Sequence, residues 1–448
     1  MKQVNLFTDS PRRLFFHYLG PSIGSSLVTS IYVLVDTIMI GQGVGDTGLS
    51  AINIFMPIIA SFFAIGLLLG VGGGVLMSVA KGSGNQQLAH KYFSTVMMVA
   101  AAVSICLSAF CIIFFDPIMY TLGANETNIE LVRSYGICYT LIAPAFIFSA
   151  SLQCFLRNDK APKLAMIGVL VGSAINIGLD YLFIFPLDMG MFGGALATVI
   201  GTIITIGILV LHFFSKKNTM HFSFRCFSFK TLWEIIKCGF SSFLIECANA
   251  VLVFVFNITL LKYIGSIGLS VYSMIANISI VCMSLFNGVA QTAQPIIATN
   301  HGAGHHKRVL QVRHIGTITS SIIALVLFIF GFFFPNILTY AFMNHPSDEI
   351  LALASSALRI YFFSYLFMNF NIFFSGYFQS TLRPVAAIVV CLLRGLVLSS
   401  ILVATFPLMF GTDAIWYAVP VAELLTFLVA MAFLYFHKIK KSKAFTTT

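Results

Sequence analysis

Asp36, Asp180, Glu246, Arg394 and Glu423 stand out because each interrupts a long apolar run in the 448-residue chain. A charge facing hydrocarbon at mid-depth costs roughly 2.5 kcal/mol or more, so these five are expected to line an interior or a wet cavity. Asn176 and Asp180, four residues apart, project from one face of a helix. If Asp36 on an earlier helix faces them, two carboxylates and an amide oxygen converge where water is scarce. Mutual repulsion and lost solvation make it costly to keep both charges there. Such a pair can share one proton, or it can coordinate a small hard cation such as Na+ through oxygen atoms. The competing reading is that Asp180, near the outer end of its run, is merely interfacial. Glu246, Arg394 and Glu423 are expected to form a second buried network. An Arg394–glutamate pair leaves the other carboxylate free to take a proton or attract a cationic substrate, unless the three only tie helices together. Four acids against one arginine give the interior a sign that favours organic cations.

Other residues carry weaker signals. Gln291, Gln294, Gln153 and Tyr135 lie in apolar runs, where they either hydrogen-bond between helices or touch a substrate. Met and Phe are core or lipid contacts by default, although a polarisable wall suits a promiscuous pocket. His301, His305 and His306 adjoin Lys307 and Arg308 and read as a solvated basic turn rather than a metal site. The run Gly70-Val71-Gly72-Gly73-Gly74 is followed by no Lys-Ser/Thr, so close helix packing or a bend explains it better than a phosphate loop. Nine cysteines are scattered singly with no C-x-x-C pair and are expected to be free thiols, with neither a disulfide nor a zinc framework. No H-E-x-x-H motif appears and no span shows a paired catalytic constellation, which argues against an intramembrane enzyme.

The elements that must position these groups follow from composition. Hydrophobic residues make up 58% of the chain and charged residues 9%, with a mean hydropathy of +0.96, so lipid must cover most of the surface. Apolar runs of about 20 residues recur, each long enough to cross a hydrocarbon core about 30 Å thick as a helix. They do not alternate as barrel strands would. The expected spans are 14–40, 50–79, 92–115, 130–157, 162–184 and 192–215, then 232–262, 270–299, 312–334, 350–378, 383–408 and 414–438. Ser10-Pro11-Arg12-Arg13 superficially has the look of a twin-arginine signal, but the apolar run that follows is too long and lacks a cleavage site, so it reads as a retained first helix.

The formal charge of +10 does not point to nucleic acid, because the basic residues gather in every second loop. These clusters are Lys81 and Lys91; Arg157, Lys160 and Lys163; Lys216, Lys217, Arg225 and Lys230; Lys307, Arg308 and Arg313; Arg383; and the tail Lys438, Lys440, Lys441 and Lys443. That is the positive-inside pattern, and it places both termini in the cytoplasm.

The chain also repeats itself at an offset of about 220 residues. Gly45-x-x-Gly48-Leu49-Ser50 returns as Gly265-x-x-Gly268-Leu269-Ser270, and Gly82-Ser83-Gly84 as Gly302-Ala303-Gly304. Phe115-Asp116-Pro117 returns as Phe333-Phe334-Pro335, and Pro162 as Pro384. Six spans per copy make the repeat parallel, with its axis along the membrane normal. The expected fold is therefore an all-α polytopic membrane protein, with twelve transmembrane helices in two six-helix bundles related by a pseudo-twofold axis. Residues 1–215 form an N-lobe, 216–230 a cytoplasmic linker, and 231–448 a C-lobe with a basic tail. Two bundles enclosing a central cleft make a transporter, whereas channels usually form their pore from several subunits.

The segments Val35-Asp36-Thr37-Ile38-Met39-Ile40-Gly41-Gln42-Gly43-Val44-Gly45, Asn176-Ile177-Gly178-Leu179-Asp180 and Trp416-Tyr417-Ala418-Val419-Pro420-Val421-Ala422-Glu423 resemble bacterial multidrug and toxic compound extrusion (MATE) transporters of the DinF/MepA-like branch, and the resemblance covers essentially the whole chain. It implies a cation-coupling site in the N-lobe at Asp36, Asn176, Asp180 and Thr198, able to hold Na+ or H+, with Tyr135 and Gln153 in its hydrogen-bond network. Gln153 stands where some relatives have Asn. The resemblance further implies a monomeric inner-membrane antiporter without a cofactor, exchanging Na+ or H+ for amphipathic, mostly cationic drugs, with Glu246, Arg394, Glu423, Gln291 and Gln294 as C-lobe substrate or proton candidates. A flippase for lipid-linked saccharides is the alternative from the same superfamily. It usually needs several cavity cations to hold pyrophosphate, and Arg394 is the one expected in the interior.

Overall fold

In the computed structural model, Gly45 and Gly265 adopt the same left-handed backbone, φ 82° in both, with ψ −164° and −159°. Each ends one long helix and begins the next, a turn that an L side chain would strain. The structure describes residues 5–343 and 346–446; the side chains of Asp46 and of residues from 437 onward, including Lys438, Lys440, Lys441 and Lys443, lie outside the described part.

The first half of the chain runs through α1 (Pro11–Val44), α2 (Asp46–Gly82), α3 (Gln86–Ile113), the short α4 (Phe115–Thr121), α5 (Ile129–Leu141), α6 (Ala143–Asn158), α7 (Pro162–Ile184) and α8 (Gly190–Val210). The second half repeats the order as α9 (Phe229–Tyr263), α10 (Ser266–Gly302), α11 (His306–Phe333), α12 (Pro335–Phe342), α13 (Asp348–Phe363), α14 (Tyr365–Ser380), α15 (Pro384–Leu392), α16 (Leu398–Phe410) and α17 (Ala418–Thr446). The two copies of the second helix are both 37 residues long, and the two copies of the third are both 28. Proline opens α7, α12 and α15, where its missing N–H has no intrahelical partner to lose. Among the described residues, ten helices are long and apolar enough to cross a membrane singly, and two bent pairs, each taken as one span, bring the number to twelve. The fold is thus all-α and multi-pass, in two six-span bundles.

The fourth and tenth spans, read from sequence as the single stretches 130–157 and 350–378, are bent. α5 and α6 meet at 53°, and α13 and α14 at 41°. Pro144 in the first turn of α6 explains the first bend, because it cannot donate back to the carbonyl of Thr140. The Ser108 hydroxyl donates to that carbonyl instead, at 2.7 Å. At the second bend the Ser364 hydroxyl donates to the Tyr361 carbonyl at 2.6 Å, and the Asn369 amide donates to the carbonyls of Tyr365 and Leu366 at 3.0 and 2.8 Å.

The halves join along α2, which packs on α9 and α10, and along α1, which packs on α10. Gly72 faces the Ile235 carbonyl and Gly239 of α9, so the glycine run of α2 serves close helix packing. The stretch expected to link the halves is fastened down. The Asp159 carboxylate, buried between α6 and α7, accepts from Lys81 Nζ at 2.5 Å, lies 2.8 Å from His212 Nε2, and takes hydrogen bonds from the Thr219 backbone N–H at 3.0 Å and from the Thr219 hydroxyl. Ser94 Oγ donates to the His221 carbonyl and accepts from Ser223 N–H, holding the same segment against α3.

Candidate functional site

α1 and α7 lie against each other, and α7 packs on α8 along its length. That arrangement gathers Asp36 from α1, Asn176 and Asp180 from α7 and Thr198 from α8, all buried. The Asp36 and Asp180 carboxyl groups adjoin. Asn176 Nδ2 donates to Thr198 Oγ1 at 3.2 Å, and Thr198 Oγ1 donates to the Gly194 carbonyl at 3.2 Å. Asp36 Oδ1, Asn176 Oδ1 and both carboxylate oxygens of Asp180 accept no hydrogen bond among the described residues, although each is buried. Buried oxygens without donors are costly, so a cluster of four acceptors is suited to a proton or a small cation. Asp180 is fully buried rather than interfacial.

Tyr135 donates to Tyr139 Oη at 3.2 Å, and Tyr139 reaches toward Thr198. Tyr139 and Tyr32, whose charged neighbours are Asp36 and Asp180, were not singled out from sequence. The i,i+4 spacing of Tyr135 and Tyr139 was the available signal. Gln153 does not join this hydrogen-bond network. Its amide donates to Ser149 Oγ at 3.3 Å, and it lines a cavity of about 100 Å³ together with Tyr32, Asn176 and Thr198.

A larger cleft, of about 260 Å³, lies between the halves and is walled by α1, α2, α6, α9, α10 and α14. Gln153, Gln291, Gln294 and Glu246 all line it, as do Arg157 and Gln379. Thr29, Phe63, Ala150 and Gln153 belong to both cavities, so the small cavity lined by Asn176 and Thr198 shares a wall with the cleft. Ser26 donates to Gln291 Oε1 at 3.4 Å and links α1 to α10 across the cleft.

The expected network of Glu246, Arg394 and Glu423 divides in two. Arg394 Nε donates to Glu423 Oε1 at 3.0 Å, and Asn371 Nδ2 donates to Glu423 Oε2 at 2.6 Å. Both charged groups are buried, and Arg394 sits in a π-helical turn, Leu393–Val397, that interrupts the eleventh span. Glu246 stands apart on α9, facing the cleft, and makes no hydrogen bond or ion pair among the described residues. Sequence offered no pairing rule for choosing between the two glutamates, and Asn371 was missed. The interior also holds a second arginine. Arg157, assigned from sequence to a basic loop, is buried because α6 runs on to Asn158, and its Nη2 approaches Cys154 Sγ at 3.2 Å.

The chain is 28% identical over 446 residues to the multidrug export protein MepA of Staphylococcus saprophyticus subsp. saprophyticus, a match spanning 97% of this chain and 96% of that one. It is 26% identical over 445 residues to MepA of Staphylococcus aureus, again spanning 97% and 96%. The fold superposes on an outward-facing multidrug resistance MATE family transporter of the MOP superfamily with a TM-score of 0.92 at 20% identity, covering 98% and 99% of the two chains. It also superposes on a MATE structure in a bent conformation with a TM-score of 0.89 at 21% identity, covering 99% of each. Residues 21–182 and 242–405, one stretch on either side of the segment 216–230, both match the MatE family, and the protein belongs to that family.

Proposed function

We propose that this transporter exports amphipathic, mostly cationic compounds in exchange for Na+ or H+ by alternating access. The observation that carries the reading is the set of four oxygens on Asp36, Asn176 and Asp180 that lack donors among the described residues, with Asn176 also lining a small cavity that shares a wall with the cleft. As a member of its family the chain is a multi-pass membrane transporter and not an enzyme, and it needs no cofactor. The likeness to MepA proteins supports small-molecule export.

In this reading Na+ or a shared proton offsets one of the two charges that Asp36 and Asp180 would carry, with Thr198 holding the Asn176 amide in place. α1 carries Asp36 at one level and Ser26 and Thr29 at the cleft, so occupancy at the carboxylates is felt at the cleft and at Gln291 of α10. Glu246 supplies the cleft with a carboxylate free to meet a cationic group, and Gln153, Gln291 and Gln294 supply adaptable hydrogen bonds. Exchange then requires only that ion and drug favour opposite states of the same two-lobe body. Residues 1–215 and 231–448 are proposed as the two rocking lobes, monomeric in the lipid bilayer of a bacterial inner membrane, with 216–230 and both termini on the cytoplasmic face.

The test is dye efflux from proteoliposomes under separately imposed Na+ and H+ gradients. Efflux driven by one gradient, and lost in Asp36→Asn, is expected. Equal dye movement with and without either gradient would refute the exchange.

A further inference from the structure

At the end of the molecule that carries the basic loops, a hollow of about 430 Å³ opens between the start of α1, the start of α7 and the segment after α8. Its size falls within the range of small-ligand clefts, roughly 300–1,000 Å³. His17, Tyr18, Lys160, Lys163, Lys216 and Lys217 line it. Positive charge is gathered here, since Lys163, Arg13 and Lys217 are the charged neighbours of His17. Like charges held together in this way favour an anion between them.

Two further features point to a ligand. Tyr18 lines the hollow and is 1% exposed, and its buried hydroxyl has no hydrogen-bond partner among the described residues. A buried hydroxyl left unpaired calls for an acceptor. α7 starts at Pro162 with Ala161 as its N-cap and no side chain capping it, so the first N–H groups of a 23-residue helix are free at the rim. The neighbouring Asp159 carboxylate does not repel an anion, because Lys81, His212 and Thr219 already engage it.

The surroundings identify the source of the anion. Leu164 and Ile167 form an apolar wall, and the segment that closes the hollow carries exposed Phe214, Phe222 and Phe224, with Phe214 84% exposed. Aromatic side chains beside lysines mark the headgroup level of a bilayer. We propose that this hollow binds the phosphate-bearing headgroup of an anionic phospholipid, drawn from the leaflet that faces the basic end, with its acyl chains along Leu164 and Ile167. A lipid held there joins the start of α1 to the segment between the halves, a contact that the protein alone does not make by hydrogen bonds among the described residues.

The test uses the full-length protein in nanodiscs of phosphatidylglycerol mixed with phosphatidylcholine, followed by native mass spectrometry of the lipids it retains. Wild type is expected to retain phosphatidylglycerol preferentially. The combined variant Lys160→Gln/Lys163→Gln/Lys216→Gln/Lys217→Gln is expected to lose that preference by about tenfold or more. Lys230→Gln/Lys307→Gln, which removes exposed charges elsewhere, is expected to leave it unchanged. Tyr18→Phe keeps the fold and removes only the unpaired hydroxyl, so it is expected to weaken retention severalfold with an unchanged Tm in pure phosphatidylcholine. Equal retention by wild type and the fourfold variant overturns the proposal, as does an equal loss in the control pair. Displacement of the retained lipid's signal by low-millimolar inorganic phosphate also overturns it, by assigning the hollow to a soluble anion.

Discussion

Gly82 at the end of α2 and Gly302 at the end of α10 meet back to back across the junction of the halves. A Cβ on Gly82 would fall 2.1 Å from the Thr299 carbonyl oxygen, and a Cβ on Gly302 would fall 2.1 Å from the Val79 carbonyl oxygen. The partners are themselves counterparts in the 220-residue repeat, so the contact has the reciprocal form of a twofold interface built within one chain. It joins the halves at the end bearing Lys81 and Lys307.

Gly82→Val or Gly302→Val puts carbon where a backbone carbonyl stands, and no rotamer relieves that. An overpacking cost of about 1–3 kcal/mol acts only on the state in which these helices touch. The equilibrium is expected to shift by about 5- to 150-fold toward a form open at the basic end. Spin labels at Ser83 and Ala303 in a cysteine-free background should report a longer distance, and an unchanged distance distribution would count against the closed contact as a gate.

Asp36→Asn and Asp180→Asn each remove one charge from a pair of adjoining carboxyls while preserving shape. Ion-driven efflux is expected to fall to background in both. Thermal stability is expected to hold or rise, since the wild-type cluster leaves four buried oxygens without donors. A large drop in Tm for both variants would recast the cluster as structural.

The Arg394–Glu423 pair admits a different test. Glu423→Gln leaves a buried guanidinium uncompensated and is expected to cost about 3–5 kcal/mol, whereas Arg394→Met combined with Glu423→Leu is expected to recover most of that. If the pair only holds α14, α17 and the π turn together, the double variant exports drug normally. Export lost at full stability would place the pair in transport itself.

Glu246→Gln removes the carboxylate that lines the cleft without a partner. Resistance to organic cations is expected to fall several-fold more than resistance to uncharged compounds, measured as growth inhibition of an expressing strain. Equal losses for both classes would sink the charge argument.

Asp159 predicts a pH dependence. Burial alone would push its carboxyl up, but the hydrogen bond with His212 and the Lys81 ammonium outweigh this and hold it at about 2, below its ordinary 3.8. A lowered folded-state value means the stabilisation is fully present above the ordinary value and is lost as pH falls from about 4 toward 2. It amounts to roughly 2 kcal/mol. Asp159→Asn should therefore lower Tm at pH 7 and narrow the gap to wild type as the pH approaches 2. A constant gap across that range would show that the charge at Asp159 does not set the stability.

The spans, their number and the internal repeat were legible because burial in hydrocarbon demands long apolar helices, and that demand is written locally. Pro162 and Pro384, legible as counterparts in the repeat, open their helices for a different reason, because the first turn has no use for the N–H that proline lacks. The bend between Leu141 and Ala143 was foreshadowed only by Pro144, and the bend at Ser364 by no proline at all. Asp36, Asn176 and Asp180 announced themselves as polar groups in apolar runs, and the partners Asn371, Tyr139 and Tyr32 did not, because amides and phenols are cheap enough in a span to pass unnoticed.

By itself, the amino-acid order determined that the chain lives in a bilayer, crosses it about twelve times and carries its structure twice, since hydropathy and repetition are properties of consecutive residues. Tertiary structure alone decided that Arg394 takes Glu423 and leaves Glu246 to the cleft, that Arg157 turns inward, and that Asp159 fastens the segment between the halves. Those outcomes depend on which helix faces are brought together, and a pairwise electrostatic choice among distant residues is made only once packing has set the distances.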